Sequence, residues 1–167
     1  MRIKPLVVAA LTAAMLIVPV ATVRADEMTA ILDDQRILLS RAAELSCHDF
    51  EYPVIRCFES SKDMLLAIDD VREAGSEAEV QALATGYVVV WADANFGGAS
   101  RSLSRNYAFL NDIGWNDRIS SLRSYGATGR FHEHSPNGGF VYGYSSSAYV
   151  TYVGNAYNDK FSAFEIN

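Results

Sequence analysis

A short polar sequence occurs twice in this chain, 42 positions apart. Both copies, residues 115–122 and 157–164, run aromatic, Asn, Asp, basic, apolar, Ser, small, apolar. A repeat of about forty residues that carries the same polar loop indicates one supersecondary unit used twice. Each loop also collects carboxamide, carboxylate and hydroxyl oxygens, which are the ligands that a hard cation such as calcium prefers. The repeat therefore constrains both the fold and the function.

The N-terminus has the pattern of an export signal. Two basic residues precede an apolar run over residues 6–20, and a Val-x-Ala ending closes at Ala25. This order is typical of a secretory signal peptide, cleaved here before Asp26. The alternative is a retained membrane anchor, since the apolar run approaches spanning length. We expect residues 1–25 to be removed and the remainder to be secreted to an extracellular or periplasmic space.

Export changes how the charge is interpreted. Residues 1–25 hold three basic and no acidic side chains, so the rest of the chain carries 11 basic and 20 acidic side chains, a net charge of −9. An acidic surface argues against nucleic acids and anionic membranes as partners. It is compatible with cation binding.

The chain contains two cysteines, Cys47 and Cys57. In an oxidising compartment we expect them to form a disulfide. The loop that they close is short, and the expected stabilisation is about 2–3 kcal/mol. A catalytic Cys47 beside His48 is the alternative. It is disfavoured because neighbouring residues seldom present both groups to one substrate atom.

Residues 26–85 are predicted to be mainly helical, with one short strand. Apolar residues recur near helical spacing over residues 28–45, which predicts a first helix. Residues 54–58 are short and β-branched, which predicts the strand.

Two further helices are predicted before the composition changes near Gly86. Ser60 or Ser61 can cap the first of them, and Gly75 ends it. Its apolar stripe consists of Met64, Leu65, Ile68 and Val71. Residues 77–84 form a shorter helical stretch. No active-site pattern occurs in this half.

Residues 86–167 are predicted to be all β. Residues 87–91 and 140–144 are strongly strand-like, and clusters at residues 95–98 and 136–139 mark tight turns. Short strands with regular turn signals suggest an antiparallel sandwich. The repeat then indicates two four-stranded Greek keys packed together.

The residues of this half resemble the βγ-crystallin superfamily. Residues 91–98 resemble the aromatic-x6-Gly signature that opens each of its Greek keys, and residues 131–138 look like a second copy. Residues 116–121 match the superfamily's calcium pattern, Asn/Asp-Asn/Asp-x-x-Ser/Thr-Ser, at every position. The resemblance covers about residues 86–167. It implies a βγ-crystallin-like sandwich, related to secreted bacterial members that include a metalloproteinase-inhibitor family.

In this family the Gly-rich turn folds a hairpin over the sheet, which needs a residue free to adopt positive φ. Gly98 and Gly138 supply such residues. The resemblance implies that Ser121 fastens the first hairpin by a side-chain hydrogen bond. Ala163 replaces that serine in the second copy, where a proline also stands in place of an aromatic residue. We therefore expect the second hairpin to be held less tightly.

The resemblance also implies a ligand set for calcium, in which the two loops lie side by side and each contributes to both sites. The expected side-chain ligands are Asp117, Asp159, Ser120 and Ser162. The carbonyls of Arg118 and Lys160 would add to them, and Asp93 and Glu133 would supply hairpin carbonyls from equivalent places. Asn116 and Asn158 are expected to shape the loops. The alternative for both loops is a hydrogen-bonded turn without metal.

Other site patterns are weaker. His132 and His134 are spaced to lie on one face of a strand, which suits a transition metal, but they lack a clear third ligand. Two such histidines are more often solvent-facing. The sequence contains no nucleophile elbow, no zinc-protease helix motif and no phosphate-binding glycine loop.

Three functions remain open. The first is a secreted, monomeric, calcium-binding module with a structural or binding role and no enzymatic activity. The second is an inhibitor of an extracellular protease, with residues 144–149 as the candidate inhibitory loop. The third is a glycan binder or an enzyme that uses the aromatic-rich surface of the sandwich.

Overall fold

The computed structural model describes residues 28–167, so the predicted signal peptide and its cleavage site lie outside the described residues. Within this range no helix is both long enough and apolar enough to cross a membrane. The elements before residue 86 are β1 (Thr29–Leu32), β2 (Gln35–Ile37), α1 (Leu39–Ala42), β3 (Ser46–His48), β4 (Val54–Phe58), α2 (Ser61–Ala74) and α3 (Glu77–Ala84). Those after it are β5 (Tyr87–Asp93), β6 (Gly97–Leu103), β7 (Ser121–Tyr125), β8 (Gly129–His134), β9 (Gly138–Tyr144), β10 (Tyr149–Val150) and β11 (Ala163–Ile166), with single 3-10 turns at Ala94–Phe96 and Leu110–Ile113.

The strands form two sheets that share one core. The larger sheet has the order β10-β7-β5-β6-β3-β4-β1-β2, and the smaller has the order β11-β8-β9. Buried residues of both sheets, such as Val90 and Phe131, belong to the same apolar cluster. The predicted all-β sandwich over the second half is confirmed. The first half extends its larger sheet, because β3 pairs in parallel with β6.

The predicted helix over residues 28–45 is wrong except at α1, which is helical over Leu39–Ala42. Strands β1 and β2 form a hairpin closed by Asp33 and Asp34, both with positive φ (49° and 60°). The two-residue hairpin turn whose twist best matches that of its strands requires positive φ at both of its residues. Strand β1 also pairs in parallel with β4, from Thr29 opposite Val54. The apolar spacing fitted a helix, but pairing with distant strands decided the structure.

The disulfide and helix α2 are found where the sequence predicted them. Cys47 and Cys57 lie opposite each other on the antiparallel strands β3 and β4 and are bonded. Helix α2 begins after Ser60, whose hydroxyl accepts a hydrogen bond from the backbone N–H of Asp63 at 3.2 Å, and it ends at Gly75.

Strand β5 is buried on both faces, which accounts for its unbroken apolar sequence. Val88 and Val90 belong to the core between the sheets. Val89 and Trp91 project from the opposite face, where they pack against the buried side of α2. The larger sheet therefore has the smaller sheet on one face and α2 on the other.

A buried polar network connects the two halves of the chain. Asp49 is 1% exposed, and its carboxylate accepts hydrogen bonds from Tyr107 Oη at 2.6 Å and from the backbone N–H of Ser104 at 3.0 Å. Burial raises the pKa of Asp49 above its usual range, although these hydrogen bonds act in the opposite direction. Nearby, Arg101 is fully buried and donates to the carbonyl of Ala42 at 3.3 Å. Burial lowers the pKa of Arg101 to about 10.

Candidate metal centre

Reciprocal backbone hydrogen bonds join the two repeated loops. The N–H of Asp117 donates to the carbonyl of Phe161 at 3.0 Å, and the N–H of Asp159 donates to the carbonyl of Ile119 at 3.4 Å. In both cases the acceptor is the residue just before the serine of the other repeat. The aspartate of each loop is thus tied to the serine-bearing segment of the other. The loops lie side by side, as the family resemblance implied.

The Asn-Asp pairs have the same local geometry in both loops. Asp117 and Asp159 adopt left-handed backbone conformations, with φ of 54° and 55°. Residues other than glycine rarely adopt this conformation, and those that do are frequent at functional sites. Asn116 Nδ2 donates to Asp117 Oδ2, and Asn158 Nδ2 donates to Asp159 Oδ2, both at 2.6 Å. The asparagine side chains therefore orient the carboxylates.

The repeat serines show which hairpin residues are structurally equivalent. Ser120 donates its backbone N–H to the carbonyl of Trp91 at 2.9 Å, and Ser162 donates its own to the carbonyl of His132 at 2.8 Å. The counterpart of Trp91 is therefore His132. The prediction that the second copy of the signature opens at Phe131 is therefore off by one residue.

The glycines show the same shift. Gly98 and Gly139 both have a φ of 72°, whereas Gly138 is not among the residues with positive φ. A Cβ on Gly139 would lie 2.7 Å from the Cβ of Glu133, so the hairpin folds tightly over its own strand there. The prediction that Gly138 supplies the positive φ is wrong. Because Gly138 and Gly139 are adjacent, the sequence allowed either of them to take the positive φ. The pairing of His134 with Gly138 leaves Gly139 in that position.

The shift changes the expected carbonyl donors. Counted from the repeat serines, Glu133 corresponds to Ala92 and not to Asp93. The carbonyl of Ala92 accepts a hydrogen bond from Ser120 Oγ at 2.7 Å, whereas the carbonyl of Asp93 accepts one from Ser121 Oγ at 2.7 Å. The ligand set expected from the sequence did not include the carbonyl of Ala92, which stands in the place equivalent to that of Glu133. Alignment of the hairpins from the serines, instead of from the aromatic residues, would have found it.

Ser121 fastens the first hairpin, as predicted. Besides its bond to Asp93, its hydroxyl accepts the backbone N–H of Phe96 at 3.1 Å. Ser121 itself is fully buried, and its two hydrogen bonds are partly buried. Phe96 in turn packs edge-on against Trp91, with ring centroids 5.0 Å apart.

The second hairpin is fastened by different groups. Ala163 has no hydroxyl, but Ser135 Oγ donates to the carbonyl of Ser162 at 2.7 Å. The backbone N–H of Phe140 donates to Glu133 Oε2 at 3.3 Å. The loss of the serine is thus accompanied by contacts that the first hairpin lacks, which the sequence comparison did not anticipate.

One pocket collects oxygen-bearing groups from both loops and from the second hairpin. Its lining consists of Asp117, Glu133, His134, Asp159, Lys160 and Ser162. The basic side chains of the loops are engaged elsewhere. Lys160 Nζ donates to the carbonyl of Ala156 at 3.1 Å, and Arg118 pairs with Glu44 at 3.1 Å.

Across residues 28–167, no group of three or more His, Cys, Asp and Glu side chains is arranged to hold a metal ion. A cation at the paired loops would therefore depend on carbonyl and hydroxyl oxygens beside single carboxylates. Calcium accepts that donor set, whereas zinc prefers nitrogen and sulfur.

The two histidines of β8 do not form a pair. His132 is 6% exposed and lies 3.5 Å from Glu165 Oε2. His134 is exposed and lies 3.9 Å from Glu133 Oε2. An irregularity in strand pairing falls between the two histidines. Only His134 is solvent-facing, as was expected for both.

The candidate inhibitory loop connects β9 to β10. Ser145, Ser146 and Ser147 are exposed, and the carbonyl of Ser146 accepts the backbone N–H of Gly126 at 3.0 Å. These contacts identify no protease, and inhibition stays a prediction.

Comparisons with known proteins match about half of the chain. No protein-family model and no curated protein matches it. A double mutant of a βγ-crystallin domain from Clostridium beijerinckii is 35% identical; the match covers 48% of this chain and 94% of that domain, with a TM-score of 0.43. A double mutant of clostrillin in complex with nickel is 30% identical (48% and 95% covered, TM-score 0.43). A βγ-crystallin from Ciona intestinalis is 25% identical (49% and 100% covered, TM-score 0.45).

Proposed function

Because this chain belongs to the βγ-crystallin superfamily, we propose that it is an exported calcium-binding module whose paired loops hold two calcium ions between them. The observation that carries the proposal is the reciprocal hydrogen bonding of the loops through Asp117 and Asp159. It ties the carboxylate-bearing residue of each repeat to the serine-bearing segment of the other. An ion bound there would therefore link the two Greek keys.

The first ion would lie in the pocket beside the second hairpin. Its ligands would be the carboxylate of Asp117, the hydroxyl of Ser162 and the carbonyl of Glu133, which all belong to residues of that pocket. The loop carbonyl of Lys160 would add a fourth oxygen, as the family resemblance implies. Water would complete the six to eight oxygens that calcium takes.

The second ion would use the equivalent groups of the first hairpin. Ser120 Oγ and the carbonyl of Ala92 already lie 2.7 Å apart, so both could turn toward a shared cation. Asp159 is tied to the residue just before Ser120 and would supply the carboxylate. The carbonyl of Arg118 would be the loop contribution.

Each ion would have one carboxylate among neutral oxygens, so modest affinity is expected, in the micromolar to millimolar range. Calcium would stabilise the folded state because it binds preferentially to that state. At a free concentration one hundred times the dissociation constant, each site contributes about 2.7 kcal/mol. The role would then be that of a binding and structural module in a calcium-containing environment.

Thermal unfolding with calcium and with chelator tests this proposal. Millimolar calcium should raise the melting temperature, and Asp117→Asn or Asp159→Asn should each remove about half of the rise, since each variant loses one carboxylate from one site. Asp70→Asn, on the exposed side of α2, is the matched control and should retain the full rise. An unchanged transition in millimolar calcium would refute calcium binding. A full rise in both loop variants would refute the ligand assignment alone.

Export is part of the same proposal. The bonded Cys47–Cys57 pair supports it, because such disulfides persist mainly in oxidising compartments. Intact-mass measurement of the protein recovered from its host should give a chain that begins at Asp26. A protein that retains residues 1–25 would instead support the membrane anchor.

A further inference from the structure

A cavity of about 350 Å³ lies between α2 and the outer face of the larger sheet, away from the paired loops. Its volume falls in the range of small-molecule sites. The larger part of the wall is apolar and comes from Leu65, Leu66, Trp91, Phe96, Tyr125 and Tyr149; the remaining lining residues, Ser61, Lys62, Asp69 and Arg123, are polar or charged. Helix α2 supplies one side, and strands β5, β7 and β10 with the first hairpin supply the other.

The aromatic side chains form a connected surface. The rings of Phe96 and Tyr149 meet edge to face, with centroids 4.7 Å apart, and Phe96 also contacts Trp91. Tyr149 is 62% exposed and Leu66 is 53% exposed, although both are large and partly or wholly apolar. A flat apolar ligand that binds to such a concave surface displaces water from apolar groups, which is favourable.

Two cationic groups lie at this apolar surface. The guanidinium of Arg123 lies 4.9 Å from the ring centroid of Tyr125 and 5.6 Å from that of Tyr149. Lys62 lines the same cavity from the first turn of α2. In the part of the chain that the structure describes, neither forms an ion pair with a carboxylate. The one carboxylate in the lining, Asp69, instead pairs with Arg72 at 3.1 Å.

We propose that this cavity binds a small molecule with a planar apolar body and a single carboxylate group. The aromatic walls would cover the apolar body, and Arg123 would take the carboxylate through its N–H groups while its face stays on the tyrosine rings. The same positive charge opposes a cationic ligand.

The cavity requires both halves of the chain. Leu65 and Leu66 belong to α2, which precedes the β-rich half, whereas Arg123 and Tyr149 belong to the strands of that half. A sandwich without α2 would present these residues as an open face. The proposal is independent of calcium binding, because none of the proposed calcium ligands lines this cavity.

Three probes of similar shape and different charge test the proposal: 2-naphthoate, 2-naphthamide and 2-naphthamidinium. Each is titrated into the purified protein and followed by the NMR shifts of backbone amides and of the Trp91 indole. Naphthoate should give saturable shifts at the cavity residues. The neutral amide should bind about tenfold more weakly, the size expected for one lost charge-assisted hydrogen bond, and the cation more weakly still.

Variants locate the charge selectivity. Arg123→Gln should weaken naphthoate binding about tenfold and leave naphthamide binding unchanged, which also shows that the variant retains the cavity. Arg36→Gln makes the same chemical change on β2, at the far edge of the larger sheet, and should alter neither. Equal affinity for the three probes, or an unchanged naphthoate affinity in Arg123→Gln, would overturn the proposal. The absence of saturable shifts at the cavity would overturn it as well.

Discussion

Replacement of Ser121 by alanine should open the first hairpin and lower the stability of the whole chain. The hydroxyl of Ser121 makes two hydrogen bonds, one with the carbonyl of Asp93 at 2.7 Å and one with the N–H of Phe96 at 3.1 Å. The side chain of Ser121 is fully buried and its hydrogen bonds are partly buried, so its removal leaves two backbone groups that water can reach only in part. At about 0.5–1.5 kcal/mol for each bond, the expected loss is about 2 kcal/mol.

Ser102→Ala is the matched control. Ser102 is also fully buried, on strand β6 of the same sheet, but its hydroxyl has no hydrogen-bond partner within the described residues. Its removal deletes the same atom without leaving a partner unpaired. The free energy of unfolding should therefore not fall, because an unpaired buried hydroxyl carries a desolvation cost that alanine avoids.

Urea unfolding at fixed pH measures the free energy of unfolding of both variants, and thermal unfolding measures their melting temperatures. For a chain of this size, a loss of 2 kcal/mol corresponds to a fall of about 4–8 °C in melting temperature. Hydrogen exchange provides a local measurement, since the amide of Phe96 should lose protection in Ser121→Ala. Equal losses in the two alanine variants would refute the reasoning, because they would show that burial of a serine matters and its hydrogen bonds do not. Preserved protection of Phe96 would refute the assigned role of Ser121 in the hairpin.

The remaining predictions concern the second hairpin, the buried carboxylate and the disulfide. Gly139→Ala should cost more than about 1 kcal/mol in urea unfolding, because the position has positive φ and its Cβ would meet Glu133, whereas Gly138→Ala should be nearly neutral. The raised pKa of Asp49 means that the folded state binds this proton more tightly than the unfolded state. Its contribution to stability is full below the unfolded pKa near 3.8 and is lost as pH rises through the folded pKa. The wild type should therefore gain stability relative to Asp49→Asn as pH falls from 7 to 4, and parallel pH profiles would contradict this. Reduction of the disulfide, or its replacement by two serines, should cost about 2–3 kcal/mol, and unchanged denaturant midpoints would contradict that estimate.

Local chemistry was sufficient to predict the elements that depend on neighbouring residues. Ser60 and Gly75 bound α2 through a cap and a helix stop, both of which act within one turn. The paired loops were likewise visible, because the Asn-Asp geometry is built from adjacent side chains. The fastening by Ser121 was expected from the resemblance to the βγ-crystallin superfamily, and the structure has the hydrogen bonds that it requires.

The errors have a common cause. Residues 28–45 carry an apolar spacing that suits a helix, but β1 and β3 gain hydrogen bonds from strands far along the chain. Asp33 and Asp34, which both adopt positive φ, are a local signal of the hairpin turn within this range. The second hairpin was misaligned because Gly138 and Gly139 are adjacent, and no local feature distinguishes them.

The sequence by itself determined the β-rich half, the two oxygen-bearing loops, the disulfide and the helix α2, since each follows from residue type and short-range spacing. The tertiary structure alone decided three further features. It set the register of the second hairpin, which makes Ala92 the counterpart of Glu133. It joined the first half to the sheet through β3 and β6. It also placed α2 over Arg123 and the tyrosines to form a cavity. These features depend on which distant strands pair and which faces become buried. The identity of a strand's distant partner cannot be read from the periodicity of either segment.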